Sequence, residues 1–224
     1  MKHFITRLAF KATALLLALL VVSIAKGQDT DTDGNGYQIN TLFSPGKIST
    51  GGFGAITNKF TTIDGHFANL VGAYGGVYLN HSVLIGVSAA ALTNDIRVPI
   101  EHSTAPFQNL SYMYGQVGGI VEYTMASEKA VHVAFNLFTG AGFTLQYDRN
   151  YWHDDHEFDW DYSEDQDWFF VAEPGVNVEF NVFKWMRFSP GVSYRAAFNS
   201  DGRGLGDNAL SNMSYNLSMK FGKF

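Results

Sequence analysis

From about residue 48 onward, apolar and polar residues alternate along the chain. The clearest run is residues 168–182. Even positions carry Trp168, Phe170, Ala172, Pro174, Val176, Val178, Phe180 and Val182, while Glu173, Gly175, Asn177, Glu179 and Asn181 fall between them. Successive side chains of an extended strand point to opposite faces, so this period predicts strands with one apolar and one polar face. Met186, Phe188, Val192, Tyr194 and Phe198 continue the pattern against Arg187, Ser189, Gly191, Ser193 and Arg195. Near the end, Met213, Tyr215, Leu217, Met219 and Phe221 oppose Ser214, Asn216, Ser218 and Lys220. Eight such segments are expected, at about 48–61, 66–79, 83–94, 110–125, 131–147, 168–182, 186–199 and 212–224. Glycine and alanine blur both faces of the first three. Glu173-Pro174 lies inside a segment, and because proline donates no ladder hydrogen bond, a bulge or a pairing break is expected there. Phe224 is out of step with the odd-numbered apolar face of the last segment, so a bulge is expected at Gly222.

The connections alternate in length. Those at 80–82, 127–129 and 183–185 are tight, whereas 95–109, 148–167 and 200–211 are long and polar; the one at Asp64-Gly65 breaks the rule by being short. Tight turns at one end and long loops at the other, with segments near the roughly 10 residues a tilted strand needs to cross a bilayer, predict an all-β fold. The expected form is a transmembrane antiparallel up-and-down β-barrel of eight strands over residues 48–224.

The start of the chain fits export. Lys2, Arg7 and Lys11 precede an apolar run at 12–25, which is short for a membrane helix, and the small residues Ala25 and Gly27 flank Lys26 before the expected cleavage after Gly27. Residues 1–27 therefore read as a signal peptide and 28–47 as a periplasmic N-terminal segment. An even strand count puts both termini of the barrel on the periplasmic side. Only 16% of residues are charged, the net charge is −6, and the mature chain holds no Lys/Arg cluster, which argues against a nucleic-acid partner. There is no cysteine, which rules out disulfides, thiolate metal sites and a cysteine nucleophile.

If the apolar face meets lipid, the other face fills the barrel. That places Glu122, Glu173, Glu179, Arg187, Arg195 and Lys220 inside, with His132. An eight-stranded barrel is just wide enough to be filled by side chains, and buried charges must pair. A plugged polar interior is expected, with a narrow gated channel as the alternative.

The stretch WHDDHEFDWDYSEDQDW (152–168) would form an outward loop between the fifth and sixth strands. Asp154, Asp155, Glu157, Asp159 and Asp161 are the hard oxygen ligands that calcium takes, and His153 and His156 suit a transition metal. The spacing matches no known metal loop. The alternative is a solvated loop, with Trp152, Trp160 and Trp168 at headgroup level. Asp29, Asp31, Asp33 and Gly34 match the first half of an EF-hand loop, but Asn40 stands where a bidentate glutamate belongs. No cofactor is expected, with calcium as the open alternative. Catalytic signals are weak. No G-x-S-x-G occurs, and His81-Ser82 lies in a tight turn. Asp154-x-His156 resembles one half of the Asp/His arrangement of omptin proteases, without a second acidic pair. No enzymatic activity is expected.

The stretches GGFGAITNKFTTIDGHFANLVGAYGGVYLNHSVLIG (51–86) and FFVAEPGVNVEFNVFKWMRFSPGVSYR (169–195), with the terminal KFGKF, resemble a family of small outer-membrane β-barrel proteins of Bacteroidota. The resemblance implies the fold and an outer-membrane location, and brings no site residues with it. The expected role is structural or surface-interacting. Expected partners are outer-membrane lipid and lipopolysaccharide, the barrel assembly machinery that reads an aromatic last strand, and an envelope complex. A small channel or transporter and a surface-loop enzyme are the alternatives.

Overall fold

The computed structural model describes residues 49–105, 109–148 and 164–224. Eight long strands dominate: β1 (Thr50–Ile63), β2 (His66–Leu79), β3 (Val83–Leu92), β4 (Leu110–Met125), β5 (Val131–Asp148), β6 (Glu164–Phe183), β7 (Met186–Phe198) and β8 (Asn212–Gly222). Each pairs antiparallel with its neighbours in sequence, and β8 returns to pair with β1. The sheet is therefore a closed up-and-down barrel without a free edge. The long apolar segments begin and end within a few residues of the positions that alternation predicts.

Tight hairpins follow from their residues. Asp64 (φ 48°) and Gly65 (φ 73°) turn β1 into β2, and Asn80 (φ 50°) and His81 (φ 58°) turn β2 into β3. Two successive positive φ values match the twist of the flanking strands, and Asp, Asn and Gly tolerate them. The turns after β2, β4 and β6 share one end of the barrel with Thr50 and Gly222, here the turn end. The connections after β1, β3, β5 and β7 share the other, the loop end. At the loop end, Ile96–Arg97 adds a short strand to β4, and a two-residue ladder and one helical turn (Asp207–Leu210) follow β7.

Period 2 sorts the side chains as expected. Outward positions carry Val87, Phe135, Phe170, Val178, Tyr194 and Leu217, all more than a third exposed. Among the described residues no packed core lies outside them, so this apolar wall is the face a bilayer would cover. Aromatic rings gather toward both ends. Phe183, Trp185 and Phe221 stack at the turn end, with centroids 5.4 and 6.2 Å apart. Phe143 and Trp168 (5.3 Å) and Phe170 and Phe198 (6.0 Å) lie toward the loop end.

Two local expectations change. Gly222 is not bulged: it pairs with Phe53 in unbroken register. A Cβ there would lie 2.5 Å from the Gly52 carbonyl oxygen and from the Phe53 Cβ, so the glycine serves close approach. Phe224 then falls in step with the inner face and packs against Tyr78, 5.7 Å between centroids. At Glu173-Pro174 there is a pairing break but no bulge. β6 stays in register with β5 through Pro174, while its ladder to β7 stops at Ala172 and resumes at Gly175.

Candidate functional site: the barrel interior and its loop-end cap

All six charged residues placed inside by alternation are buried, from Arg195, Glu179 and Lys220 at 0% exposure to Arg187 at 3%. Toward the turn end they converge on Glu179. Lys220 contacts Glu179 and also donates to Glu122 Oε1 at 2.5 Å. Arg187 Nη1 lies 3.5 Å from Glu179 Oε2, His132 Nε2 lies 3.0 Å from the same oxygen, and Ser189 Oγ donates to Oε1 at 3.1 Å. Tyr78 OH donates to Glu122 Oε1 at 2.9 Å. The Arg187 guanidinium also lies 4.1 Å from the Phe224 ring centre, so the last residue of the chain covers a buried cation.

A second cluster lies midway. Glu173 accepts from Lys59 Nζ at 2.7 and 2.8 Å, from Ser193 Oγ at 2.6 Å and from Gln116 Nε2 at 3.0 Å. Lys59 is the interior residue the sequence reading missed. Its signal was present: Ala55, Thr57, Lys59 and Thr61 alternate with Ile56, Asn58 and Phe60 in the first of the blurred segments. Lys59 is thus the cation that meets Glu173. Arg195 instead donates to the carbonyls of Leu210 (2.7 Å) and Thr62 (3.0 Å) and lies 4.9 Å from the Tyr114 ring centre. A chamber of about 30 Å³ separates the two clusters, with Thr57, Ser88, Glu122 and Glu173 among its walls. Such a volume has room for one or two water molecules.

The interior is not polar throughout. Toward the loop end Ile63, Leu70, Tyr112, Tyr114, Phe169 and Val171 pack with Ile96, Leu205 and Leu210, which come from the connections after β3 and β7. The cap is tied down by main-chain bonds. Asp167 Oδ2 accepts from Ser200 Oγ (2.9 Å) and from the amides of Asp201 (2.9 Å) and Gly202 (3.1 Å). Asp165 Oδ2 accepts from the Arg203 amide at 2.8 Å, and Tyr112 OH donates to the Arg203 carbonyl at 2.8 Å. These loop residues have no periodicity, which is why alternation could not reveal them as core.

Asp154, Asp155, His156, Glu157, Asp159 and Asp161 lie outside the described residues, as do Asp29, Asp31 and Asp33, the signal peptide and the whole segment at 28–47. Trp168 is described, on the outward face of β6 and 60% exposed. Among the described residues no group of three or more His, Asp or Glu is placed to hold a metal.

No protein-family model matches the chain, and no curated protein matches it. Solved structures do. Neisserial surface protein A matches with a TM-score of 0.53 at 9% identity, over 80% of this chain and all of that one. The N-terminal β-barrel domain of Pseudomonas aeruginosa OprF matches at 0.45 with 10% identity, over 76% of this chain and 98% of that one. A major outer membrane protein of Thermus thermophilus matches at 0.47 with 8% identity, over 77% of this chain and 98% of that one. At such identities the likeness to the Neisserial protein speaks for the fold alone: this chain is a closed, eight-stranded antiparallel β-barrel of the transmembrane kind.

Proposed function

We propose that the chain is an outer-membrane barrel of a Gram-negative bacterium that does not conduct, and whose role is structural or surface-interacting. The observation that carries this reading is the two-part filling of the interior. Neutralised charges occupy the turn-end half, and an apolar cap held by Asp165 and Asp167 occupies the loop-end half. A buried charge left unpaired costs several kcal/mol, so opening an axial path means breaking ion pairs and lifting the cap together. In this reading residues 1–27 direct export, the turn end with both barrel termini faces the periplasm, and the acidic loop is a solvated outer surface. Its partners are membrane lipid and lipopolysaccharide, and the assembly machinery during insertion. The resemblance to small barrels of Bacteroidota belongs to the same proposal, as does the absence of enzymatic activity.

Conductance across planar bilayers tests it. The expected record is flat at moderate voltage. Discrete openings that change on Glu173→Gln or Arg187→Gln would establish the second reading, a small gated channel, which the chamber between the two ion-pair clusters favours. Calcium and zinc titration, followed by tryptophan fluorescence, tests the loop. No saturable binding is expected below millimolar metal. Micromolar binding lost on Asp154→Asn with Asp155→Asn would make it a metal site. An altered lipid or peptide profile that depends on His156 would point to a surface enzyme.

A further inference from the structure

The ladder between β6 and β7 is built differently from its neighbours. β1 and β2 pair without a gap from Thr50–Leu79 to Ile63–His66, and β4 and β5 from Leu110–Asp148 to Met125–Val133. Between β6 and β7 pairing stops twice in unchanged register. One gap lies between Ala172–Ala196 and Gly175–Ser193, the other between Asn177–Gly191 and Phe180–Phe188. Each gap holds a proline, Pro174 on β6 and Pro190 on β7. Both stay paired on their other sides, Pro174 with Leu137 and Pro190 with Leu217. Both missing N–H groups therefore fall on one seam. The register sets Tyr194 opposite Pro174 and Val178 opposite Pro190, so two rungs lack their donor. Three rungs remain between the gaps, and two of them contain glycine. In hydrocarbon no water replaces a missing ladder bond. Tyr194 and Val178 face outward, 46% and 42% exposed, while Glu173 and Glu179 lie directly behind them.

We infer that the barrel wall opens between β6 and β7, giving molecules dissolved in the lipid phase a lateral path to the polar interior. The path is independent of the axial one, which the cap closes. The inference rests on the membrane-barrel reading, and the experiment separates the two. The chain has no cysteine, so a single thiol reports its own site. Ser193→Cys places one at the seam and Ser218→Cys one inside the wall on β8, and the native serines are 4% and 5% exposed. Each variant is reconstituted into phospholipid vesicles and treated with a maleimide that partitions into the bilayer. Protein that fails to float with the vesicles removes the membrane reading before any thiol is assayed. In floating protein, Ser193→Cys reacts at least about tenfold faster than Ser218→Cys, as local opening at one seam requires. Adding P174V and P190V restores both donors and brings the two rates within about twofold of each other. Equal rates in the native background, or a difference that survives both proline replacements, overturns the inference. If the proline variants do not assemble, amide exchange of the unmodified chain decides. Val176 and Val192 exchange about tenfold faster than Val121 and Leu137 if the seam opens, and equal protection refutes it.

Discussion

Replacing Lys59 by methionine isolates the most self-contained ion pair in the barrel. Glu173 is 2% exposed, and its carboxylate accepts from one cation and two neutral donors, Gln116 and Ser193. At the 2.7 Å separation of Lys59 and Glu173 the gross attraction is about 6 kcal/mol for an effective dielectric constant near 20. Removing Lys59 also removes the cost of burying its ammonium, on a side chain 11% exposed beside the chamber. The two neutral donors stay. The net loss is then that of a buried charge stripped of its partner, about 3–5 kcal/mol. The assay is urea unfolding in detergent micelles, followed by tryptophan emission. The double variant K59M/E173L removes both charges and should recover most of the loss, because an apolar replacement of a whole buried pair is often neutral. Lys184→Met, in the exposed turn after β6, is the surface control and should stay within about 0.5 kcal/mol of the parent. A loss of under about 1 kcal/mol for Lys59→Met would refute the reasoning, since it would mean that water reaches Glu173 and screens it.

The cap and the closing seam give further tests. Leu210→Ala with Leu205→Ala should cost about 2–5 kcal/mol per site and produce brief openings in planar bilayers; a flat record from folded protein would mean that the polar half alone blocks the axis. Asp167→Ala leaves the Asp201 and Gly202 amides without their acceptor, while the Ser200 hydroxyl keeps the Leu205 carbonyl, and trypsin should then cut after Arg203 several times faster; an unchanged rate would mean that Asp165 and Tyr112 suffice. Gly222→Ala puts a methyl 2.5 Å from Gly52 and Phe53, so the yield of heat-modifiable folded barrel should fall on a gel, and a normal yield would show that the strand ends can shift.

How much of this was legible in the chain depends on whether a residue obeys period 2. The long segments did, because large apolar side chains alternate with small polar ones, and their faces fixed where Glu122, Glu179 and Lys220 lie. Lys59 obeyed the same rule, but its neighbours Gly51, Gly52, Gly54 and Ala55 carry too little side chain to announce a face. Arg195 was placed on the correct face without a partner, since its acceptors are main-chain carbonyls whose positions depend on how a loop folds. Leu205 and Leu210 could not be recognised as core because their burial comes from loop closure over the barrel. The pairing break at Pro174 was readable from its missing N–H. That Pro190 weakens the same seam needed the register.

The closure of β8 onto β1 also constrains how the molecule is made. Thr61 Oγ1 donates to the Met213 carbonyl, 152 positions later, and the eight rungs of this ladder join the first strand to the last. Contacts so remote in sequence form only after the chain between them is ordered, and until then both strands present raw edges. A nascent chain that ends before β8 cannot settle into a smaller barrel from the same strands without a new register. Assembly must therefore be nearly all-or-none: seven strands are a template for aggregation, and the eighth converts them into a membrane protein.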